Sequence, residues 1–131
     1  MNTLYARMET WRPYVLSILR IVVALLFLEH GLSKFFGFPV PGPPLNGLLI
    51  VAALLETVGA LLLLVGAYTR IVAFILSGEM AFAYFMVHAP QSFYPLVNKG
   101  ELAVIYCFIF LYFAFAGGGP WSADRAMLDQ A

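Results

Sequence analysis

Residues 45–67 read LNGLLIVAALLETVGALLLLVGA. These twenty-three residues carry one charge, Glu56, at their midpoint. A helix that crosses a bilayer needs about 20 predominantly apolar residues, within a range of about 17–25. Length and composition therefore read as a transmembrane helix with a carboxylate placed halfway through it. An ionisable group at that depth costs about 2.5–3.5 kcal/mol on insertion scales, so it marks either a function or a packing contact.

Moving outward, three more apolar stretches flank this one: Tyr14–Phe36, Ile71–His88 and Glu101–Ala116. The separators agree. Phe38-Pro39-Val40-Pro41-Gly42-Pro43-Pro44 cannot be helical. Gly66-Ala67-Tyr68-Thr69 is a tight connection, with Thr69 expected to cap the third helix. Ala89-Pro90 opens a loop through Pro95, and Gly117-Gly118-Gly119-Pro120 ends the fourth helix. Trp121 to Ala131 reads as a short polar tail. No segment alternates polar and apolar residues as barrel strands do. The expected fold class is all-α: an integral membrane four-helix bundle forming a single domain over residues 1–131. The first span carries Glu29 and His30, and no small-residue cleavage site follows it, so it is read as retained rather than as a signal peptide.

Composition supports this. The chain has 131 residues, 63% apolar and 11% charged, with a formal net charge of zero. Soluble domains run at about 45–50% apolar and about 25% charged. With no basic field to attract phosphate, nucleic acid is not an expected partner; membrane lipid is. The single cysteine, Cys107, supports neither a disulfide framework nor a thiolate zinc site. No Cys-x-x-Cys, dinucleotide-binding glycine motif, P-loop, Gly-x-Ser-x-Gly or His-Glu-x-x-His is present, and no metal site is expected. Two histidines could in principle ligate one haem, but no further signal accompanies them and haem is not expected.

Orientation follows the Lys/Arg distribution. Arg7, Arg12, Arg20, Arg70 and Arg125 fall on the side that holds the termini, and Lys34 and Lys99 fall on the other. This places both termini in the cytoplasm. Arg20 and Arg70 read as snorkelling anchors at the inner side. Lys34 reads as an outer anchor, with Glu101 as its available partner.

The polar residues inside the spans form a column. Glu56 and Glu79 lie near the midplane, Glu29 and His30 in the outer half of the first helix, and His88, Lys99 and Glu101 at the outer rim. They avoid lipid only by facing the bundle interior or one another. Glu56, Gly59, Leu63 and Gly66 share one face of the second helix, where glycines permit close approach. Each residue has a plain reading beside the chemical one. Glu56 and Glu79 are packing carboxylates or proton carriers. His30 is a core histidine, or a relay or hydrogen-bond donor to a ligand. His88 is a helix-end cap or a ligand contact, and Cys107 is packing.

Several segments together resemble the DoxX family of small bacterial and archaeal membrane proteins. His30-Gly31-Leu32-Ser33-Lys34-Phe35-Phe36-Gly37 is similar to the family's His-Gly-x-x-Lys-x-x-Gly. Glu56-x-x-Gly59 follows, then Gly66-Ala67-Tyr68-Thr69-Arg70, Glu79-Met80-Ala81, His88, Gly100-Glu101 and Gly119-Pro120-Trp121-Ser122-Ala123-Asp124. The resemblance implies a four-helix membrane bundle in a bacterial or archaeal plasma membrane. It also implies a link to redox chemistry, because the family is named for a subunit of a thiosulfate:quinone oxidoreductase. Some of its relatives assemble with soluble sulfur-transfer or superoxide-detoxifying enzymes. On that reading quinone is the ligand class. His30 offers a hydrogen bond to its carbonyl, Glu56 and Glu79 carry protons, and Arg70 or Lys34 stabilises negative charge. Glu29, His88 and Glu101 complete the polar set. Two other classes stay open. One is a non-catalytic anchor for a soluble enzyme. The other is a small transporter, for which a homo-oligomer would supply the missing helices.

Overall fold

The computed structural model describes residues 2–128; residues 129–131, the end of the expected polar tail, lie outside the described residues. Every regular element among them is helical. Helix α1 spans Thr3–Phe36, α2 Gly47–Val65, α3 Thr69–Ala83, α4 Pro95–Asn98, α5 Glu101–Ala116 and α6 Ala123–Leu128. Helix α3 runs on through a π-helical turn, Tyr84–His88, and a 3-10 turn, Ala89–Gln91. Three of these helices are long and apolar enough to cross a membrane: α1, α2 and α3 with its extension to Gln91. Helix α5 is shorter, with 16 residues. At about 1.5 Å per residue it is about 24 Å long.

Helix α1 starts well before the expected Tyr14 and reaches 34 residues, about 51 Å at the same rise. Its first turns carry Arg7, Glu9, Thr10 and Arg12, which helical propensity tolerates and which an apolar-span reading leaves out. Asn2 caps it by accepting from Leu4 N at 3.1 Å. Gly37 ends it in the left-handed region that glycine adopts without strain. Asn46 caps α2 in the same way through Leu49 N at 2.9 Å.

Helix α1 packs chiefly on α2, and α3 on α5, with α2 and α3 joining the two pairs. The α1–α2 contact rests on Gly31, where a Cβ would collide with Thr57 Oγ1 and lie 2.8 Å from Thr57 N. Small residues permit this close approach, the main attractive device between helices in lipid. A Gly31→Ala substitution is expected to destabilise the protein by about 1–3 kcal/mol, the usual cost of overpacking. Reversible unfolding in bicelles measures this, and an unchanged midpoint would contradict the contact. Between the helix pairs the core is aromatic. Phe27 meets Tyr106 and Phe110 edge-on, with centroids at 5.1 and 4.8 Å, and Tyr106 stacks on Phe110 at 5.6 Å.

The end of the bundle that holds the termini differs from the sequence expectation in three linked ways. Arg20 does not snorkel; it is 0% exposed. Its Nε donates to Leu63 O at 2.8 Å, its Nη2 to Trp121 O at 2.6 Å, and its Nη1 to Gly118 O. Ser17 Oγ also donates to Gly118 O and accepts from Trp121 N. Residues 117–124, which include the start of the expected polar tail, are therefore folded into the bundle. Thr69 does not cap α3, and its buried hydroxyl has no partner among the described residues. Asp124 of α6 caps it instead, accepting from Tyr68 N at 2.7 Å and Thr69 N at 2.9 Å. A carboxylate suits a helix N-terminus, where free N–H groups and the macrodipole both favour negative charge. Gly66, Gly118 and Gly119 make room, since a Cβ on any of them would strike Ser122 or Ser17.

Candidate functional site

Helices α1, α2 and α3 supply a polar cluster away from the termini, and α5 sets an aromatic ring against it. Inward residues Arg20, Ala24, Phe27 and Gly31 set the rotation of α1. That rotation turns His30 and Lys34 toward the bundle. Glu56 comes from the Gly59 and Leu63 face of α2 and is 4% exposed. Lys34 Nζ donates to Glu56 Oε2 at 2.6 Å. Lys34 is thus tied across to α2, instead of serving as a rim anchor or pairing with Glu101, which stands exposed at the start of α5. A paired ion is the form in which a buried charge is tolerated.

Glu79 of α3 approaches this pair, with Glu56 and Lys34 among its charged neighbours. Its Oε1 is buried and has no hydrogen-bond partner among the described residues. One ammonium group thus faces two carboxyl groups. His30 is half-buried, with Glu56, Lys34 and Glu29 as charged neighbours. Its ring meets the Tyr106 ring edge-on, with centroids at 5.8 Å and planes at 89°. On α2 the buried Thr57 Oγ1, which faces Gly31 of α1, also has no hydrogen-bond partner among the described residues.

His30, Lys34, Glu56 and Glu79 therefore come together, and the other sequence candidates do not join them. Glu29 lies on the exposed face of α1 and does not turn into the bundle. Adjacent helical residues differ by about 100° in direction, so His30 facing inward leaves Glu29 outside. Arg70 donates to Ala114 O and Phe115 O, the last carbonyls of α5, at the opposite end of the bundle. Cations are favoured there by the helix dipole. His88 belongs to a separate network at the distal loops. Its Nδ1 lies 3.0 Å from Asn98 O, and the buried Asn98 donates to Tyr84 Oη and Ser92 O and accepts from Gly100 N.

Tyr106, Thr57 and Asn98 were not singled out by sequence. Tyr106 sits in the aromatic run of the fourth span and is hard to tell there from lipid-facing neighbours. Its hydroxyl is the available signal. Among the described residues no group of three or more His, Cys, Asp or Glu is arranged to hold a metal ion.

The surface around the cluster is apolar. A groove of about 420 Å3 runs between α1 and α5, lined by Leu19, Val104, Ile105, Phe108, Ile109 and Tyr112. A second, of about 280 Å3, lies between α2 and α3 and includes Val58, Gly59 and Leu76. No charged residue of the cluster lines either groove, though Ile105 adjoins Tyr106 in sequence.

Comparison with known proteins adds two matches. The sequence model of the DoxX family matches residues 15–89, which cover α1 from Val15, α2, and α3 with its π-helical turn. An uncharacterised protein of Haemophilus influenzae (strain ATCC 51907 / DSM 11121 / KW20 / Rd) is 47% identical over 131 aligned residues, covering 94% of this chain and 98% of that protein. No solved structure matches the chain.

Proposed function

The chain belongs to the DoxX family of multi-pass membrane proteins, and from that premise we propose that it is the membrane subunit of a quinone-linked redox system. Its proton-handling site is the cluster of His30, Lys34, Glu56 and Glu79. The observation that carries this reading is Glu79: a carboxyl group beside the paired Lys34–Glu56, whose buried Oε1 has no hydrogen-bond partner among the described residues. Buried polar groups are normally hydrogen-bonded, and exceptions point to a functional group or an absent partner.

Reducing a quinone to a quinol takes two electrons and two protons. No electron-carrying motif is present in the chain, so the electrons come from a soluble oxidoreductase or sulfur-transfer partner. Protons reach the quinone oxygens through Glu79 and His30, the members of the cluster not held in the ion pair. Lys34 holds Glu56 in the ion pair and offsets negative charge as protons leave. The α1–α5 groove suits the isoprenoid tail, because its lining is apolar. The excess of Lys and Arg near the termini supports cytoplasmic termini in a bacterial inner membrane.

Photo-crosslinking with an azido-quinone in nanodiscs tests the site. Label is expected on the α1 and α5 peptides that contain His30 and Tyr106, with competition by unlabelled quinone. His30→Ala and Glu79→Gln are expected to lose most of the competed label and, in the assembled complex, to lower quinol formation about a hundredfold, the low end for removed general acid–base groups. Label spread evenly over all four helices, without competition, would overturn the quinone site. A second reading is that the cluster serves packing in an anchoring subunit, and the α1–α2 cross-tie supports it. Under that reading the same variants reduce recovery of the complex while turnover per complex stays unchanged.

A further inference from the structure

The polar cluster holds two carboxyl groups and one ammonium group. Its ionisable members are His30 and Lys34 of α1, Glu56 of α2 and Glu79 of α3, and α5 sets Tyr106 against His30. Lys34 Nζ donates to Glu56 Oε2 at 2.6 Å, which accounts for one of the two carboxyl groups. The Glu79 carboxyl group stands within hydrogen-bonding reach of the Glu56 carboxyl group, with Lys34 as the nearby cation. An ionised carboxyl group accepts hydrogen bonds and donates none. Two carboxylates in contact therefore only repel each other, whereas one proton between them turns the contact into a hydrogen bond. Glu56 is 4% exposed and Glu79 Oε1 is buried, so little water screens the repulsion. Charge counting gives the same occupancy. With both carboxyl groups ionised, the Lys34, Glu56 and Glu79 side chains carry a net negative charge inside the spans. With one proton they are neutral together, the condition under which ionisable groups are tolerated there.

We propose that Glu56 and Glu79 share a single proton, and that Lys34 pairs with whichever of the two lacks it. This deepens the proton-handling reading of the cluster and does not involve the quinone. In the arrangement seen, Lys34 is on Glu56 and the proton is on Glu79. In the other arrangement the O–H bond of Glu79 breaks and leaves its electron pair on that oxygen. An O–H bond forms on Glu56, and the Lys34 ammonium group swings to Glu79. Net charge is unchanged, so the proton crosses from α3 to α2 with no buried charge left unpaired. Lysine suits this exchange, because its ammonium group is a point charge with three donors on a flexible stem. Loss of the proton leaves two carboxylates against one ammonium group, so the cluster gives up protons one at a time.

Infrared spectroscopy of the full chain in nanodiscs at neutral pH tests this with neither quinone nor partner present. Glu29→Gln is the background, because Glu29 faces out of the bundle and its carboxyl group would add its own signal. The carbonyl stretch of a protonated carboxyl group is separate from the carboxylate bands. One such stretch is expected, at the intensity of a single carboxyl group, and it should shift when H2O is replaced by D2O. Glu79→Gln is expected to abolish it. Glu56→Gln is expected to abolish it too, because Lys34 then pairs with Glu79. The background protein decides the occupancy even where a variant fails to fold. Absence of the stretch, twice its expected intensity, or its survival in either further variant would overturn the proposal. Survival in Glu56→Gln would mean that burial alone keeps the proton on Glu79. Quinone labelling that fails while the stretch behaves as expected overturns the quinone site and leaves the shared proton standing. The reverse result overturns the shared proton alone.

Discussion

Lys34→Met is expected to destabilise the bundle by about 3–5 kcal/mol, the cost of leaving one member of a buried ion pair without its partner. Lys34 and Glu56 side chains are 17% and 5% exposed and sit 2.6 Å apart, so little water remains to solvate an abandoned carboxylate. The reciprocal change is expected to cost less. In Glu56→Gln, Lys34 retains Glu79 as a nearby carboxyl group. In the double variant both charges disappear together, and the loss should be well below that of Lys34→Met alone. The resulting coupling should exceed about 1 kcal/mol, within the range for residues in direct contact. Reversible unfolding in bicelles measures all three variants. A Glu56→Gln loss as large as the Lys34→Met loss would remove Glu79 from the cluster.

Arg20→Met is the second large effect. The substitution roughly keeps side-chain length and removes every donor. Trp121 O loses its Arg20 partner, and Gly118 O retains only Ser17 Oγ. Losing charge-assisted hydrogen bonds costs about 1.5–3 kcal/mol each, so a total of about 3 kcal/mol or more is expected. The location of the damage is more diagnostic than its size. Residues 117–124 should detach from the bundle, and the α3 start should fray as Asp124 leaves Tyr68 N and Thr69 N. Hydrogen exchange should rise at Tyr68, Thr69 and Trp121, and trypsin should cut faster at Arg125. Arg20→Lys should rescue only in part, because one ammonium group cannot reproduce the guanidinium fork. Unchanged exchange at Tyr68 and Thr69 would show that the tail holds without Arg20.

The two buried cations show how far the sequence could be read. Both were visible as basic residues near the ends of an apolar span. Both were expected at the membrane rim, where long basic side chains ordinarily find water. Neither is there, because acceptors distant in sequence reach them: Glu56 for Lys34, and Gly118 and Trp121 for Arg20. Glu29 differs in another way: its neighbour His30 turns inward, and Glu29 faces out of the bundle. In a soluble helix the apolar face would have announced this rotation. In a membrane helix both faces are apolar, and only small residues such as Ala24 and Gly31 mark the inward side.

The all-helical class, the apolar spans, the loops between them and the ionisable residues from which any chemistry must be drawn are all legible in the order of the amino acids. Spanning potential is a local sum over about 20 residues, and a charge inside such a run is conspicuous because it is costly. Which of those residues meet, which helix end Asp124 caps and which carboxyl group is left outside emerge from the packing of the helices. Those outcomes depend on helix rotation and on the path of the chain after Gly117, and both are set by contacts between residues 22 to 101 positions apart.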